Sequence, residues 1–192
     1  MKKRTLAFYV INAITLYRVV AAPLLLALLL SGPPIWFKWM VGLSFFTDMI
    51  DSVLARVFHV NSALGARLDS IGDDLTVLIT TAGLLMQRPE LLTAQWGWWL
   101  PLVLLFLIQT GYALYHYKRI SSFHTRLAKL AAFAQGVFLM TFYFFDTLHY
   151  PLFYTAIIIT ILELIEEIIL VAWFNEWTTD VKGLYWVWKK RQ

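Results

Sequence analysis

Four aspartates lie close together in the first half of the chain, at spacings that a helix would bring onto single faces. Asp48 and Asp51 are three residues apart, and Asp69 and Asp73 are four apart, so each pair shares one face of a helix. On antiparallel neighbouring helices the four carboxylates meet at one depth. Four unpaired negative charges there would be strongly disfavoured. Two divalent cations would balance them, and carboxylate oxygens are the ligands that Mg²⁺, Mn²⁺ and Ca²⁺ prefer.

This pattern predicts metal-assisted phosphoryl transfer, because Mg²⁺ keeps coordination positions open for phosphate oxygens. The alternative interpretation is a structural set of salt bridges with Arg18, Arg56 and Arg67. For a single pair of aspartates that alternative would be the better one. Four of them at helical spacing on adjacent helices favour a functional site, since ionisable groups in spanning helices usually mark one.

The composition indicates a membrane protein. Of the 192 residues, 60% are hydrophobic and 15% are charged, whereas soluble domains carry about a quarter charged residues. So few charges cannot cover the surface of a soluble globule, which argues against a soluble enzyme, a disordered protein and a nucleic-acid binder. Cysteine is absent, which excludes disulfides, thiolate zinc sites and cysteine nucleophiles.

Six apolar stretches have the length needed to cross a bilayer, which takes roughly 20 residues. They cover residues 12–31, 35–56, 65–86, 98–117, 125–145 and 151–174. The connections are short, so neighbouring helices are antiparallel, and no linker or internal repeat divides the chain. We predict an all-α integral membrane protein with six transmembrane helices, interfacial segments at both ends, and a single domain over residues 1–192.

The basic residues predict the orientation of these helices. With the N-terminus in the cytoplasm, 13 of the 16 basic residues lie on the inner side, and Arg18 lies within the first helix. Only Lys38 and Arg88 lie outside. The inner residues are Lys2, Lys3, Arg4, Arg56, Arg67, Lys118, Arg119, Arg126, Lys129, Lys182, Lys189, Lys190 and Arg191. This positive-inside pattern places both termini and the four aspartates on the cytoplasmic side, where the basic excess faces anionic lipid rather than nucleic acid.

The aspartates are part of a longer pattern. It reads D-M-I-D-S-V-L-A-R over residues 48–56 and, eight residues later, G-A-R-L-D-S-I-G-D over residues 65–73. This resembles the signature of the CDP-alcohol phosphotransferase family, D-x-x-D-G-x-x-A-R followed by G-x-x-x-D-x-x-x-D. One position differs, because Ser52 stands where the signature has glycine. So many fixed residue types at fixed spacing make a specific signal.

The resemblance implies an enzyme that moves a phosphatidyl or related group from a CDP-linked lipid to an alcohol and releases CMP. It implies that Asp48, Asp51 and Asp69 hold Mg²⁺ or Mn²⁺, two ions in all. Asp73 would be the general base and would also contact a metal. The residues expected along the CDP group are Asn12, Thr15, Ser52, Ala55, Arg56 and Gly65. The expected partners are CDP-diacylglycerol, a small alcohol, membrane lipid and a second copy of the chain.

Arg126 and Lys129, at the start of the fifth predicted helix, are candidates for binding the acceptor. They are three residues apart and share a face. They form either an anion pocket for a phosphate on the acceptor or an ordinary positive flank. Gln135 follows them, as a polar residue often does in the family, which favours the first interpretation and glycerol 3-phosphate as acceptor. Inositol phosphate, inositol and serine remain open.

Two other functions compete with this prediction. One is the transfer of phosphocholine or phosphoethanolamine from a CDP-alcohol to diacylglycerol, and the other is transport of divalent cations by the acidic cluster. Glu163, Glu166 and Glu167 in the sixth predicted helix have no assigned role. Pairing with Arg18 or lining a polar cavity is the favoured interpretation, ahead of recognition of a cationic or hydroxyl-rich acceptor.

Overall fold

The computed structural model describes the backbone of residues 6–31, 34–58 and 63–189. Side chains are described over the same ranges except at residues 6–16, 18, 19, 34, 48, 49, 51–58 and 63–70. The helices are α1 (Leu6–Ser31), α2 (Pro34–Phe58), α3 (Ala63–Gln87), α4 (Pro89–Ala94), α5 (Trp96–Tyr117), α6 (Arg126–Phe145), α7 (Tyr150–Trp173) and α8 (Leu184–Lys189). Ser122 and Thr179 form an isolated β-bridge.

Each of the six predicted segments holds one long helix, namely α1, α2, α3, α5, α6 and α7. The all-helical class is therefore confirmed for the described residues. Within that part of the chain, α5 and α6 are long and apolar enough to cross a membrane. The count of six spans and the single domain stay predictions.

Two compact units make up the chain, Met1–Met86 and Gln87–Gln192. In the first unit α1 packs on α2. The buried side chains of these two helices include Ala21, Ala22 and Leu25 of α1, and Phe37 and Val41 of α2. Small side chains such as the two alanines let helix backbones approach closely.

In the second unit α7 is the central helix and packs against both α5 and α6. At its N-terminal end the ring of Phe153 lies 5.7 Å from that of Trp99 and 5.6 Å from that of Phe138, between centroids. At its C-terminal end the buried residues Ala113, Phe123, Leu170 and Val171 form a cluster, and Leu184 and Val187 of α8 pack against it. The unit therefore has apolar packing at both ends of α7.

The outer surface of α5 is apolar. Leu100, Val103, Leu104, Leu107 and Ile108 are each 48% to 60% exposed. Soluble monomers rarely expose a contiguous apolar surface of this kind, and a helix that is hydrophobic all round is typical of a membrane span. This surface suits contact with lipid.

The connection from α5 to α6 is fixed by local hydrogen bonds. Lys118, in the left-handed conformation with φ 55°, ends α5 and donates its N–H to the carbonyl of Leu114. Thr125 is the N-cap of α6, because its side-chain oxygen accepts a hydrogen bond from the N–H of Ala128 at 3.0 Å. Such a cap satisfies one of the free N–H groups of the first turn.

Candidate active site

The signature aspartates lie on the two helices α2 and α3 of the first unit. The backbone is helical at positions 48, 51, 69 and 73. The side chain of Asp73 is half-buried. The side chains of Asp48, Asp51 and Asp69 lie outside the described residues, as do those predicted to lie along CDP: Asn12, Thr15, Ser52, Ala55, Arg56 and Gly65.

Described neighbours show which face of α2 and α3 these positions share. On α2, Val41 and Ser44 are buried, and positions 48 and 51 follow Ser44 by four and seven residues. On α3, Thr76 and Thr80 are buried and follow position 73 by three and seven residues. Residues at these separations lie on one side of a helix. The aspartate positions therefore continue the stripes that α2 and α3 bury further along their length.

Three buried hydroxyls on these stripes differ in how they are satisfied. Thr76 donates to the carbonyl of Gly72 at 2.8 Å, and Thr80 donates to the carbonyl of Thr76 at 2.6 Å. The hydroxyl of Ser44 is buried and has no hydrogen-bond partner among the described residues. A buried hydroxyl left unpaired costs about 1–3 kcal/mol and calls for an explanation. It lies one helical turn from position 48.

The two candidate acceptor residues occupy the first turn of α6, in the second unit. Both side chains are exposed. The guanidinium carbon of Arg126 lies 4.4 Å from the centre of the Trp186 ring, in a cation–π contact with α8. Among the described residues, neither Arg126 nor Lys129 forms a salt bridge. Two cations on one turn without carboxylate partners are available to an anion.

A buried polar cluster ties α7 to α5 and to the connection that leads to α6. Glu167, only 8% exposed, accepts hydrogen bonds from the side-chain amide of Gln109 and from the hydroxyl of Ser121, the latter at 2.8 Å. The Gln109 amide also donates to the Ser121 oxygen. Sequence reasoning singled out Glu167 and missed Gln109 and Ser121, because their contacts to Glu167 join residues far apart in the chain.

The neighbouring glutamate on α7 has a different partner. Glu166 accepts the backbone N–H of Leu184 at 2.9 Å through Oε1, so it fixes the first residue of α8. Its other oxygen, Oε2, is buried and has no partner in the part of the chain that the structure describes. Two of the three glutamates therefore hold structural contacts in the second unit, and Glu163 also takes part in an interaction.

A model of the CDP-alcohol phosphatidyltransferase family matches residues 8–166. The chain belongs to this family. The match confirms the resemblance drawn from the aspartate signature.

A curated relative agrees with this assignment. The phosphatidylcholine synthase of Legionella pneumophila subsp. pneumophila is 39% identical over 62 residues. These residues are 30% of this chain and 24% of the relative, so the chain matches about a quarter of the relative's length. No solved structure matches the chain.

Members of the family use divalent metal ions, and the donor set of the signature suits them. Four carboxylates without a single nitrogen or sulfur ligand form the hard, oxygen-rich set that Mg²⁺ and Mn²⁺ prefer. The described side chains by themselves contain no group of three acidic or histidine residues that could hold a metal. Among the four signature aspartates, Asp73 is the only one whose side chain the structure describes.

Replacement of Glu167 tests the buried cluster. We expect Glu167→Ala to lower the free energy of unfolding by about 1–3 kcal/mol, because the Gln109 amide and the Ser121 hydroxyl lose their acceptor. Glu167→Gln keeps an acceptor oxygen and nearly the same volume, so its loss should be smaller. Thermal unfolding of the detergent-purified protein measures both. An unfolding temperature of Glu167→Ala equal to that of the wild type would contradict the role given to this carboxylate.

Proposed function

We propose that this chain transfers a phosphatidyl group from CDP-diacylglycerol to the hydroxyl of a small polar alcohol and releases CMP. The observation that carries the proposal is the family match over residues 8–166 together with four unsubstituted signature aspartates on helices α2 and α3. The apolar outer surface of α5 also suits a donor whose acyl chains stay in the membrane while its nucleotide is in water.

The four signature aspartates have two roles in this proposal. Asp48, Asp51, Asp69 and Asp73 hold two divalent ions, Mg²⁺ or Mn²⁺, which supply charge neutralisation at the diphosphate and at the departing CMP. Asp73 also takes the proton from the acceptor hydroxyl as that oxygen attacks the phosphorus of the phosphatidyl group. The bond from this phosphorus to the CMP oxygen breaks, and CMP leaves with the electron pair.

The residues around the aspartates bind the CDP group. Arg56 presents a planar fork of donors to the diphosphate oxygens. Ala55 and Gly65 leave room for the nucleotide, and Ser52 stands where the family signature has glycine, so its hydroxymethyl group adds a hydrogen-bonding group beside the donor. Asn12 and Thr15 of α1 are the remaining residues that the resemblance to the family places along the CDP group.

Glycerol 3-phosphate is the acceptor that the basic pair favours. Arg126 and Lys129 are exposed on the first turn of α6 and form no salt bridge with described residues. A phosphate on the acceptor would satisfy both cations. With the positive-inside orientation, this turn, both termini and the aspartates lie on the cytoplasmic face. A homodimer is proposed from the family resemblance.

Choline is the second candidate, because the curated relative is named phosphatidylcholine synthase. Choline has a hydroxyl but no phosphate, so it does not need Arg126 or Lys129. The two candidates therefore differ in a measurable way: one depends on the basic pair and the other does not.

The release of CMP tests the proposed reaction. Purified protein with Mn²⁺ or Mg²⁺ and CDP-diacylglycerol should release CMP when given glycerol 3-phosphate, and the lipid product should contain that acceptor. Parallel reactions contain choline, serine, inositol and inositol phosphate, and a further one contains CDP-choline with diacylglycerol. Activity only in this last reaction would reverse the donor, and CMP release with choline alone would replace the acceptor.

Asp73→Asn tests the general base. The amide cannot accept the hydroxyl proton, so kcat should fall by about 10² to 10⁴, whereas binding of CDP-diacylglycerol should change little. Asp74→Asn is the matched control, because Asp74 is the adjacent residue and is exposed; its kcat should stay near that of the wild type. Wild-type turnover in Asp73→Asn would remove Asp73 from this role.

Lys129→Ala tests the acceptor site. The loss of one charge-assisted hydrogen bond should raise the KM for glycerol 3-phosphate about tenfold or more and leave the KM for CDP-diacylglycerol almost unchanged. Lys118→Ala is the control, since it removes an exposed cation before α6 begins. Equal increases in both KM values for Lys129→Ala would reject the acceptor role.

A further inference from the structure

The segment after α7 is bound along the connection between α5 and α6. The N–H of Val181 donates to the carbonyl of Phe123 at 2.8 Å, and the indole N–H of Trp177 donates to the carbonyl of Ile120 at 3.0 Å. The N–H of Arg126 donates to the carbonyl of Lys182. These bonds hold the segment against the connection and fix where α8 begins.

The start of α8 is held in one position. Gly183 has φ 131°, a conformation that residues with a side chain rarely adopt. A Cβ atom there would lie 3.0 Å from Oε1 of Glu166, the oxygen that accepts the N–H of Leu184. Leu184 and Val187, three residues apart, pack on the core cluster. These two side chains anchor α8 on the core.

Two exposed aromatic residues lie in sequence between two exposed lysines, and we call Lys182, Tyr185, Trp188 and Lys189 the tail face. Tyr185 is 59% exposed and Trp188 is 54% exposed, and at a separation of three residues they lie on one side of the helix. Both lysines are exposed. Tyr and Trp rings beside basic residues are typical of the boundary between membrane and water.

The cations at this end of the second unit have no carboxylate partner among the described residues, although those of Lys118, Arg119 and Arg126 lie over aromatic rings. Among the described residues, none of these six forms a salt bridge: Lys118, Arg119, Arg126, Lys129, Lys182 and Lys189. The two acids of the segment after α7, Glu176 and Asp180, are exposed. At the start of this unit, by contrast, Arg88 pairs with Asp146 at 3.2 Å and contacts Glu90 at 4.0 Å.

We propose that the tail face binds anionic phospholipid headgroups of the membrane that holds the protein. Tyr185 and Trp188 lie at the level of the headgroups, and Lys182 and Lys189 contact the lipid phosphates. Two features carry this assignment. Lys182 and Lys189 form no salt bridge with described residues, and Tyr185 and Trp188 beside them are more than half exposed. Basic groups near a membrane surface attract anionic lipid electrostatically. The proposal does not depend on the donor or acceptor of the transfer reaction.

Quenching of tryptophan fluorescence by brominated lipid tests the proposal. The protein is reconstituted in two vesicles of one composition, phosphatidylcholine with a minor fraction of phosphatidylglycerol. In the first kind of vesicle, the phosphatidylglycerol carries bromine near the ester ends of its chains. In the second kind, an equal number of phosphatidylcholine molecules carry bromine at the same position. The difference between wild type and Trp188→Phe isolates the signal of Trp188.

Brominated phosphatidylglycerol should quench Trp188 at least about twofold more than brominated phosphatidylcholine, and high salt should abolish this preference. Lys182→Gln with Lys189→Gln should make the two lipids equal. Trp96 is the control, because it is 64% exposed and begins α5, whereas α8 packs near the C-terminal end of α5. The 22 residues of α5 make a helix roughly 33 Å long. The signal of Trp96, from Trp96→Phe, should show no preference.

Two results would overturn the proposal. Equal quenching of Trp188 by the two lipids in the wild type would mean an interfacial position without selection for anionic lipid. No quenching by either lipid would mean that water or another copy of the chain covers the tail face. The unfolding temperature of each variant, if it stays at the wild-type value, ensures that the comparison is between folded proteins.

Discussion

A polar group that is buried in the protein needs a hydrogen-bond partner there, because leaving it unpaired costs about 1–3 kcal/mol. The buried threonines meet this requirement locally, because Thr76 and Thr80 donate to carbonyls one turn back in α3. Glu167 meets it at long range, with donors from α5 and from the connection to α6. The same bonds that satisfy the carboxylate hold α7 against α5. In the second unit, the hydrogen bonds that pair this buried carboxylate therefore also help to pack the helices.

Ser44, like Glu166 and Thr178, is an exception to this rule among the described residues, and it lies beside the family signature. Its hydroxyl is buried and finds no partner within the described residues. It lies on the stripe of α2 that continues to positions 48 and 51. An alanine would avoid the cost of the unpaired hydroxyl, and a threonine would bond to the preceding turn as Thr76 and Thr80 do. Unsatisfied polar groups that persist in native proteins tend to lie at functional sites. The position of this one beside the signature of the family is consistent with a polar ligand nearby.

The helices could be predicted from the sequence because long apolar runs end at recognisable signals. α5, α6 and α7 begin and end within two residues of the predicted bounds. α1 begins at Leu6, earlier than predicted, since nothing between residues 6 and 12 stops a helix. The course of the chain after α7 could not be predicted: it depends on hydrogen bonds such as that of Trp177 to Ile120, between residues 57 positions apart.

In the candidate site, too, some residues could be predicted from the sequence and others could not. The aspartates could be found from the sequence because their spacing along α2 and α3 is local and matches a family signature. The buried partners of Glu167 could not, since neither Gln109 nor Ser121 belongs to a pattern that points to α7. The arrangement of Arg126 and Lys129 could be predicted only in part. Their spacing shows that they share a face of the helix, but the contact of Arg126 with Trp186 depends on the fold.

The contact of Arg126 with Trp186 connects the tail with the proposed acceptor site. A guanidinium group stacked on an aromatic ring uses its flat face and keeps its N–H donors in the plane, where a phosphate binds. Stacking therefore leaves Arg126 able to bind an anion and restricts the rotamers it can adopt. Trp186 is held in turn by α8, whose start is fixed by Glu166. Glu166, which the family signature leaves unexplained, therefore helps to fix the ring on which Arg126 rests.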